Sequence, residues 1–467
     1  MKISSCRCAS FSLLPKLFIH LRHLFVLTQV LAVPAYGQLY WKTSVANSWT
    51  GSFWGTAPGG PYNSAWVSGS QVIFEDNGGT LLTTTFATTA VGGMQVNENV
   101  TLTTGGTFGT GGTVISVEVL AGKTLTFGSQ SLSTAAGTGF IKNGGGTWSL
   151  NGSPYTGGFT LNAGTMAASG INAMGAGALV INGGGIRSSS TAARDFSGKQ
   201  TSITIGGDFF LGDATNNGAM TFTGPTSLGS SVRTITVNSS VNWNGAISGG
   251  GGITKLGAGT LTLKGDSIYT GTTTISAGTL LVTNTSGSGT GTGNVTTASG
   301  TTLGGTGTIA PTTTSSVILG GSVTPGVAGA AGTLTFTPAD GNVTFQNTGS
   351  IAFELFGNGN NDKIVLVSSG SGLLDVSSMA AGSISVSFAG GYTPALGHAF
   401  DLLDWSGVSG LSTSLLSLST TGFDPSWAWD TSQFTTNGTL SVVLVPEPSR
   451  IATLAMGLSV ALRRRRR

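Results

Sequence analysis

Few residues in this sequence are equipped to do chemistry. Both cysteines (Cys6 and Cys8) and two of the three histidines (His20 and His23) lie in the first 37 positions, which leaves His398 alone in the rest of the 467 residues. A catalytic triad would therefore rest on Gly397-His398-Ala399, and nothing around that tripeptide singles out a serine partner. The reading favoured for His398 is a surface or packing residue. Paired carboxylates are the other route, since two acids flanking a bond can cleave a glycoside. The candidates are Asp401 with Asp404, and Asp424 with Asp430. In Phe400-Asp401-Leu402-Leu403-Asp404-Trp405 the two acids are three residues apart. On one continuous strand they point to opposite faces, which argues against a shared site. No catalytic residue, metal ligand or cofactor is expected, and the body is read as non-enzymatic.

Gly357-Asn358-Gly359-Asn360-Asn361-Asp362-Lys363-Ile364 is faintly similar to a calcium-binding G-G-x-G-x-D-x-U repeat, but it is a single copy with the wrong glycine spacing. Sites of that kind need stacked neighbours, so a polar turn is expected here. Threonine alternation, as in Thr333-Leu334-Thr335-Phe336-Thr337, can make a flat hydroxyl face for ice or polysaccharide, and is equally an ordinary solvent face of a strand.

The elements that must hold these residues are β-strands. The chain has 77 glycines and 39% hydrophobic residues but only 8% charged ones, against roughly 25% charged in an ordinary soluble domain. The glycines keep no three-residue period and there are only 13 prolines, which excludes collagen. The low charge and high apolar content exclude a charged disordered tail. The formal net charge of +3 belongs to the ends: four basic residues lie in the first 37 positions and six in the last 18. The stretch between them holds 10 basic and 17 acidic residues, a net −7. A mildly acidic body repels phosphate backbones, so nucleic acid is not expected as a partner.

One internal repeat stands out. KNGGGTWSLNGSPYTGGFTLNAGTM from Lys142 aligns with KLGAGTLTLKGDSIYTGTTTISAGTLL from Lys255, pairing Lys142 with Lys255, Tyr155 with Tyr269 and Gly164 with Gly278. In Thr260-Leu261-Thr262-Leu263 the leucines share one face and the threonines the other. Gly259, Gly265, Gly271 and Gly278 sit at the ends of such runs, where corners call for backbone angles other residues dislike. Tyr155 and Tyr269 are expected at corners in a structural role. A repeat of strand-plus-turn units is the mark of a solenoid, each unit covering the apolar face of the next.

The pattern K-x-G-x-G-T-L-x-L followed by Y-T-G-x-T-x-I-x-A-G-T-L resembles the autotransporter-associated β-strand repeat of bacterial surface and passenger proteins. The copy at 249–282 matches it nearly throughout, whereas the copy at 136–166 carries Trp148 and Met166 in place of leucines. The stretch from Asn294, NVTTASGTTLGGTGTIAP, is similar to the rung that commonly follows that repeat. The resemblance implies an all-β fold, a parallel β-helix or β-solenoid. A C-terminal β-rich region, either continued solenoid or a cap, is expected to close it.

The two ends read as sorting segments. An apolar run from Leu24 to Val33 follows a basic stretch, and Ala35-Tyr36-Gly37 offers small residues for cleavage between Gly37 and Gln38. A run of ten residues reaches only about 15 Å of a roughly 30 Å membrane core, which favours a cleaved secretion signal. At the other end Val445-Pro446-Glu447-Pro448 precedes an apolar run from Ile451 to Leu462 and the cluster Arg463, Arg464, Arg465, Arg466 and Arg467. This order resembles the PEP-CTERM sorting signal, apart from Arg450 directly after the motif. It implies recognition by an exosortase-like processing enzyme after general secretion, with transient membrane contact through a short C-terminal hydrophobic helix and the arginines retained inside.

The organisation expected is therefore a signal peptide at 1–37, an N-terminal β-rich region at 38–135, the repeat solenoid at 136–310, a C-terminal β-rich region at 311–444 and the sorting tail at 445–467. The leading functional expectation is a non-enzymatic structural or adhesive protein of the cell surface or extracellular matrix, associated with extracellular polysaccharide. The alternatives are a β-helix carbohydrate-active enzyme (lyase or hydrolase) and an autotransporter-type passenger. The chain ends in a basic tail rather than in about twelve amphipathic membrane strands, which weakens the passenger alternative.

Overall fold

The computed structural model describes residues 37–41, 51–76, 82–85, 91–104, 107–108, 114–127, 133–134, 137–152, 155–312 and 315–445. These residues form an all-β parallel solenoid. Its flanks are sheets of 12, 15 and 11 strands, built by strands from successive rungs. The 12-stranded sheet ends at Ile247–Ser248. A four-stranded sheet starting at Thr308–Ile309 takes its place in the chain order for the remaining rungs.

Alternation along each strand drives the stacking. In Thr260–Leu263 the leucines are buried and the threonines half-buried. Parallel pairing in register then lines up a single column of Val241, Leu261, Leu280, Leu303, Val323, Ile351, Ile384 and Leu416 through the core. Each such side chain contributes about 1.5–3 kcal/mol by leaving water. The column crosses residue 310 without interruption, so the solenoid runs on to the strand Leu416–Leu418. Outside the core, Asn143, Asn162 and Asn182 form an amide ladder over three rungs, at 2.8 and 2.9 Å.

At both ends antiparallel strands and aromatic side chains cover the core. At the N-terminal end Trp54–Gly55 pairs antiparallel with Gln38–Trp41 and Tyr62–Ser64, and Trp54 packs on Trp41 and Trp66 with ring centroids at 4.8 and 4.9 Å. At the C-terminal end an antiparallel sheet of Ala399–Asp401, Thr439–Leu444 and Trp427–Asp430 lies over the last rung. Trp429 stacks on Phe388 there at 5.9 Å and meets Phe423 at 5.2 Å.

The repeat motif builds a corner, and the two copies build different corners. In the first copy Gly139–Asn143 lies in the 12-stranded sheet and Thr147–Gly152 in the 15-stranded one. In the second, Ile253–Leu256 lies in the 15-stranded sheet and Thr260–Leu263 in the 11-stranded one. The unit is thus shifted one face round between copies. After each corner the Y-T-G loop replaces the strand of the third face, and its tyrosine fills the core there. Tyr155 and Tyr269 are fully buried. The Tyr155 hydroxyl donates to the Ala173 carbonyl at 3.0 Å, and that of Tyr269 lies 2.5 Å from Thr273 Oγ1. Burial raises the pKa of both phenols. Tyr269→Phe keeps the ring and removes one buried hydrogen bond, so thermal unfolding should show a loss of about 1 kcal/mol.

The lysine that opens the motif is part of the same corner. Lys142 and Lys255 are both fully buried. The Lys142 ammonium donates to the carbonyls of Asn143, Gly144 and Ala163 at 2.6, 2.8 and 3.3 Å. That of Lys255 donates to Leu256, Gly257 and Ala277 at 3.5, 2.9 and 2.8 Å. The lysine therefore ties its own turn to the A-G-T turn of the next rung. Burial lowers the pKa of both lysines to about 8, with the charge of Glu118 opposing the shift at Lys142.

The corner glycines differ from expectation in one respect. Of Gly259, Gly265, Gly271 and Gly278, only Gly278 has a positive φ (+67°). The other three are glycines because of close approach: a Cβ would collide with backbone atoms of Ser239, Gly245 or Gly252 on the rung before.

Candidate functional site

The acids singled out in the sequence fall in three places. Asp401 and Asp404 do not lie on one strand, and the expectation that they face apart is overturned. Leu402 is buried and breaks the run between Ala399–Asp401, which joins the terminal cap, and Leu403–Trp405, which pairs parallel with Lys363–Leu366. The bend brings both carboxylates onto one ammonium, with Lys363 Nζ at 2.5 Å from Asp401 and 2.6 Å from Asp404. Burial opposes the charge on Lys363, but the hydrogen bonds to the two acids outweigh it and raise its pKa. The ammonium occupies the space an acid/base pair needs for substrate, so the cluster is a clasp between the solenoid and its cap.

Asp424 and Asp430 close their own turns. Asp424 accepts from the Ser426 N–H and hydroxyl at 2.8 and 2.6 Å, and Asp430 from the Ser432 N–H at 2.9 Å. These hydrogen bonds hold both below the usual carboxylate range. His398 is a packing residue. The Ala395 N–H donates to its Nδ1 at 3.2 Å, which makes that nitrogen the acceptor, so the Tyr392 hydroxyl 2.5 Å away also donates to it. Among the described residues no group of three or more His, Cys, Asp or Glu side chains is placed to hold a metal ion.

The 357–364 run forms a hairpin turn, Leu355 and Gly357 pairing with Asn361 and Asn360. Beyond it Asp362 is 2% exposed. It accepts from the Gly332 N–H through Oδ1 and from the Glu354 N–H through Oδ2, both at 3.1 Å. Burial pushes its pKa up to about 7, the two hydrogen bonds opposing the shift and the charge of Glu354 adding to it.

Of the two readings open for Thr333–Thr337, the structure favours the ordinary strand face, because the next strand sets Lys363 and Val365 beside Thr333 and Thr335. A hydroxyl face does lie on the 11-stranded sheet, where Thr260, Thr279, Thr302, Ser322 and Ser350 are register partners on five successive strands. A cleft of about 380 Å³ opens on this face. Its floor carries Thr279, Leu281, Thr324, Ala352, Glu354 and Ser387, and one wall is the loop 326–332 through Val327 and Ala328. The alternation in Ser350-Ile351-Ala352-Phe353-Glu354-Leu355 marks a strand, which the structure extends to Gly357, but it does not show that Glu354 overlooks a cleft, because that depends on register between rungs about 20–30 residues apart. Among the described residues no cation pairs with Glu354.

Gln38 opens the first strand beside exposed Gly37, and Val445, 42% exposed, ends the described chain just past the last strand. The remaining sorting residues (Pro446, Glu447, Pro448 and Arg463 to Arg467), the apolar run 451–462 and the leader before Gly37 lie outside the described residues. Among those described, no helix is long and apolar enough to cross a membrane.

Comparison with known proteins finds the passenger-associated transport repeat at residues 140–168 and 253–282, the two corner units. The adhesin BmaC autotransporter of Brucella suis biovar 1 (strain 1330) is 35% identical over 169 residues. That match covers 34% of this chain and 4% of the relative, so the chain spans only a small part of that protein's length.

Proposed function

We propose that this chain is an exported, non-enzymatic structural protein of the bacterial surface with an adhesive role. The observation that carries the reading is the corner unit: its lysine, tyrosine and glycines are all used in stacking rungs, and it is this unit that matches a repeat of passenger proteins. The similarity to part of a protein named an adhesin points the same way. The acids best placed for catalysis are engaged in a salt bridge or in their own turns.

In this reading the leader is cleaved between Gly37 and Gln38, so that the mature chain starts at its first strand. The motif Val445-Pro446-Glu447-Pro448 starts where the cap strand ends. An exosortase-like enzyme acts there after transient membrane contact through 451–462, and the body is released into an extracellular polysaccharide layer. Mass spectrometry of the native protein should find a C-terminus between 446 and 450 in the extracellular fraction. An intact Arg467 confined to the membrane would sink the sorting step. Labelling of intact cells with an antibody to the solenoid tests export itself, and loss of surface adhesion on deletion tests the adhesive role.

A further inference from the structure

We propose that the cleft between the loop 326–332 and the 11-stranded sheet binds a chain of amino sugars, with Glu354 as the counter-ion of a ligand ammonium group. The lining reaches from Thr260–Leu263 to Ile384–Phe388, six neighbouring strands of the sheet. At about 4.8 Å per strand that is about 24 Å, several sugar rings long rather than one. The floor offers hydroxyls on three separate strands (Thr279, Thr324, Ser387), able both to donate and to accept, and small apolar patches at Leu281 and Ala352, with Val327 on the wall above. A strand's outer face presents side chains and not free backbone groups, which suits a hydroxylated ring better than an extended peptide. The only charges in the lining are the carboxyl groups of Glu354 and Asp362. Asp362 is engaged by the Gly332 and Glu354 N–H groups and anchors the end of the loop. Glu354, on the outer face of its strand beside Ser387, is left to meet a cation. A hydroxyl-rich ligand carrying a positive charge meets both requirements, and an unsubstituted amino sugar is that chemistry.

This inference goes beyond the surface-protein reading, and its test uses purified protein, so failure here leaves export and adhesion untouched. Titration calorimetry with a glucosamine tetramer should give binding that weakens with salt. The N-acetylated tetramer, which lacks the charge, should bind at least about tenfold more weakly. Glu354→Gln should weaken the glucosamine tetramer by about tenfold or more, and Ala352→Trp should block it by filling the floor. Both substitutions lie on the outer face and should leave the protein folded, and at about pH 5, where Asp362 holds its proton and the Glu354 charge costs it least, the melting curves should stay close to the parent's. Glucosamine itself binding as tightly as the tetramer would keep the chemistry and make a free sugar its source. Absence of binding, equal binding by Glu354→Gln, or spermidine binding as tightly as the tetramer would overturn the proposal.

Discussion

Lys255→Met should destabilise the rungs around it by about 3 kcal/mol. The methionine fills the space but leaves the carbonyls of Leu256, Gly257 and Ala277 without their shared donor. Each buried acceptor left unpaired costs about 1–3 kcal/mol, partly offset because the ammonium no longer has to be desolvated. A solenoid is held by nearest-neighbour contacts, so the damage should be local. Hydrogen exchange should quicken across 253–282 and stay unchanged at Ile384–Phe388. Lys142→Met should act in the same way on 140–168, and the two effects should add, because the sites share no partner. The lysines also give the pH dependence a sign. With the folded pKa lowered to about 8, the unfolded chain binds more protons between about pH 8 and pH 10, and stability rises across that window. Each lysine variant should remove part of the rise. Unchanged exchange in 253–282 would mean that those carbonyls find other donors.

How much of this was legible in the sequence depended on whether the signal was local. Leu261 and Leu263 alternate with threonines within four residues, and the strand and its buried face follow from that, while its place in a solenoid follows from the repeat of the unit along the chain. Tyr155 and Tyr269 are readable as structural residues because the repeat sets one in each copy, but they fill the core along the third face rather than standing at a corner. Lys142 and Lys255 recur just as faithfully, yet the sequence does not say why. Their partners Ala163 and Ala277 lie about one rung away, and a buried lysine without a carboxylate is rare enough that charge suggests exposure. Asp401 and Asp404 misled for the opposite reason: the alternation rule holds only within a strand, and buried Leu402 ends one strand and starts another. The cleft was out of reach altogether. Thr279, Thr324 and Ser387 come together only through the register of separate rungs, and no periodicity in the chain encodes which loop will overhang them.

Asp362→Asn should make the protein more stable than the parent at pH 8 and leave it nearly unchanged at pH 4. Burial raises the folded pKa of Asp362 to about 7, above the roughly 3.9 of an unfolded aspartate. The folded state therefore holds a proton that the unfolded state has released. Stability from this group is fully present below about pH 4 and is lost as pH rises through 7, by up to about 4 kcal/mol at 1.36 kcal/mol per pH unit. Asparagine copies the protonated acid, with one oxygen to accept from Gly332 or Glu354 and no charge to bury. The variant should thus flatten the denaturant midpoint between pH 4 and 7, and the gap between the two proteins should widen steadily over that range. Because Asp362 ties the loop 326–332 to the strand that carries Glu354, hydrogen exchange at Gly332 should follow the same curve. A parent midpoint that does not fall over this range would mean that the two backbone donors hold the carboxylate well enough to cancel its desolvation. The loop would then be latched equally firmly in acid and at neutrality. The comparison at pH 8 decides which force wins at the floor of the cleft.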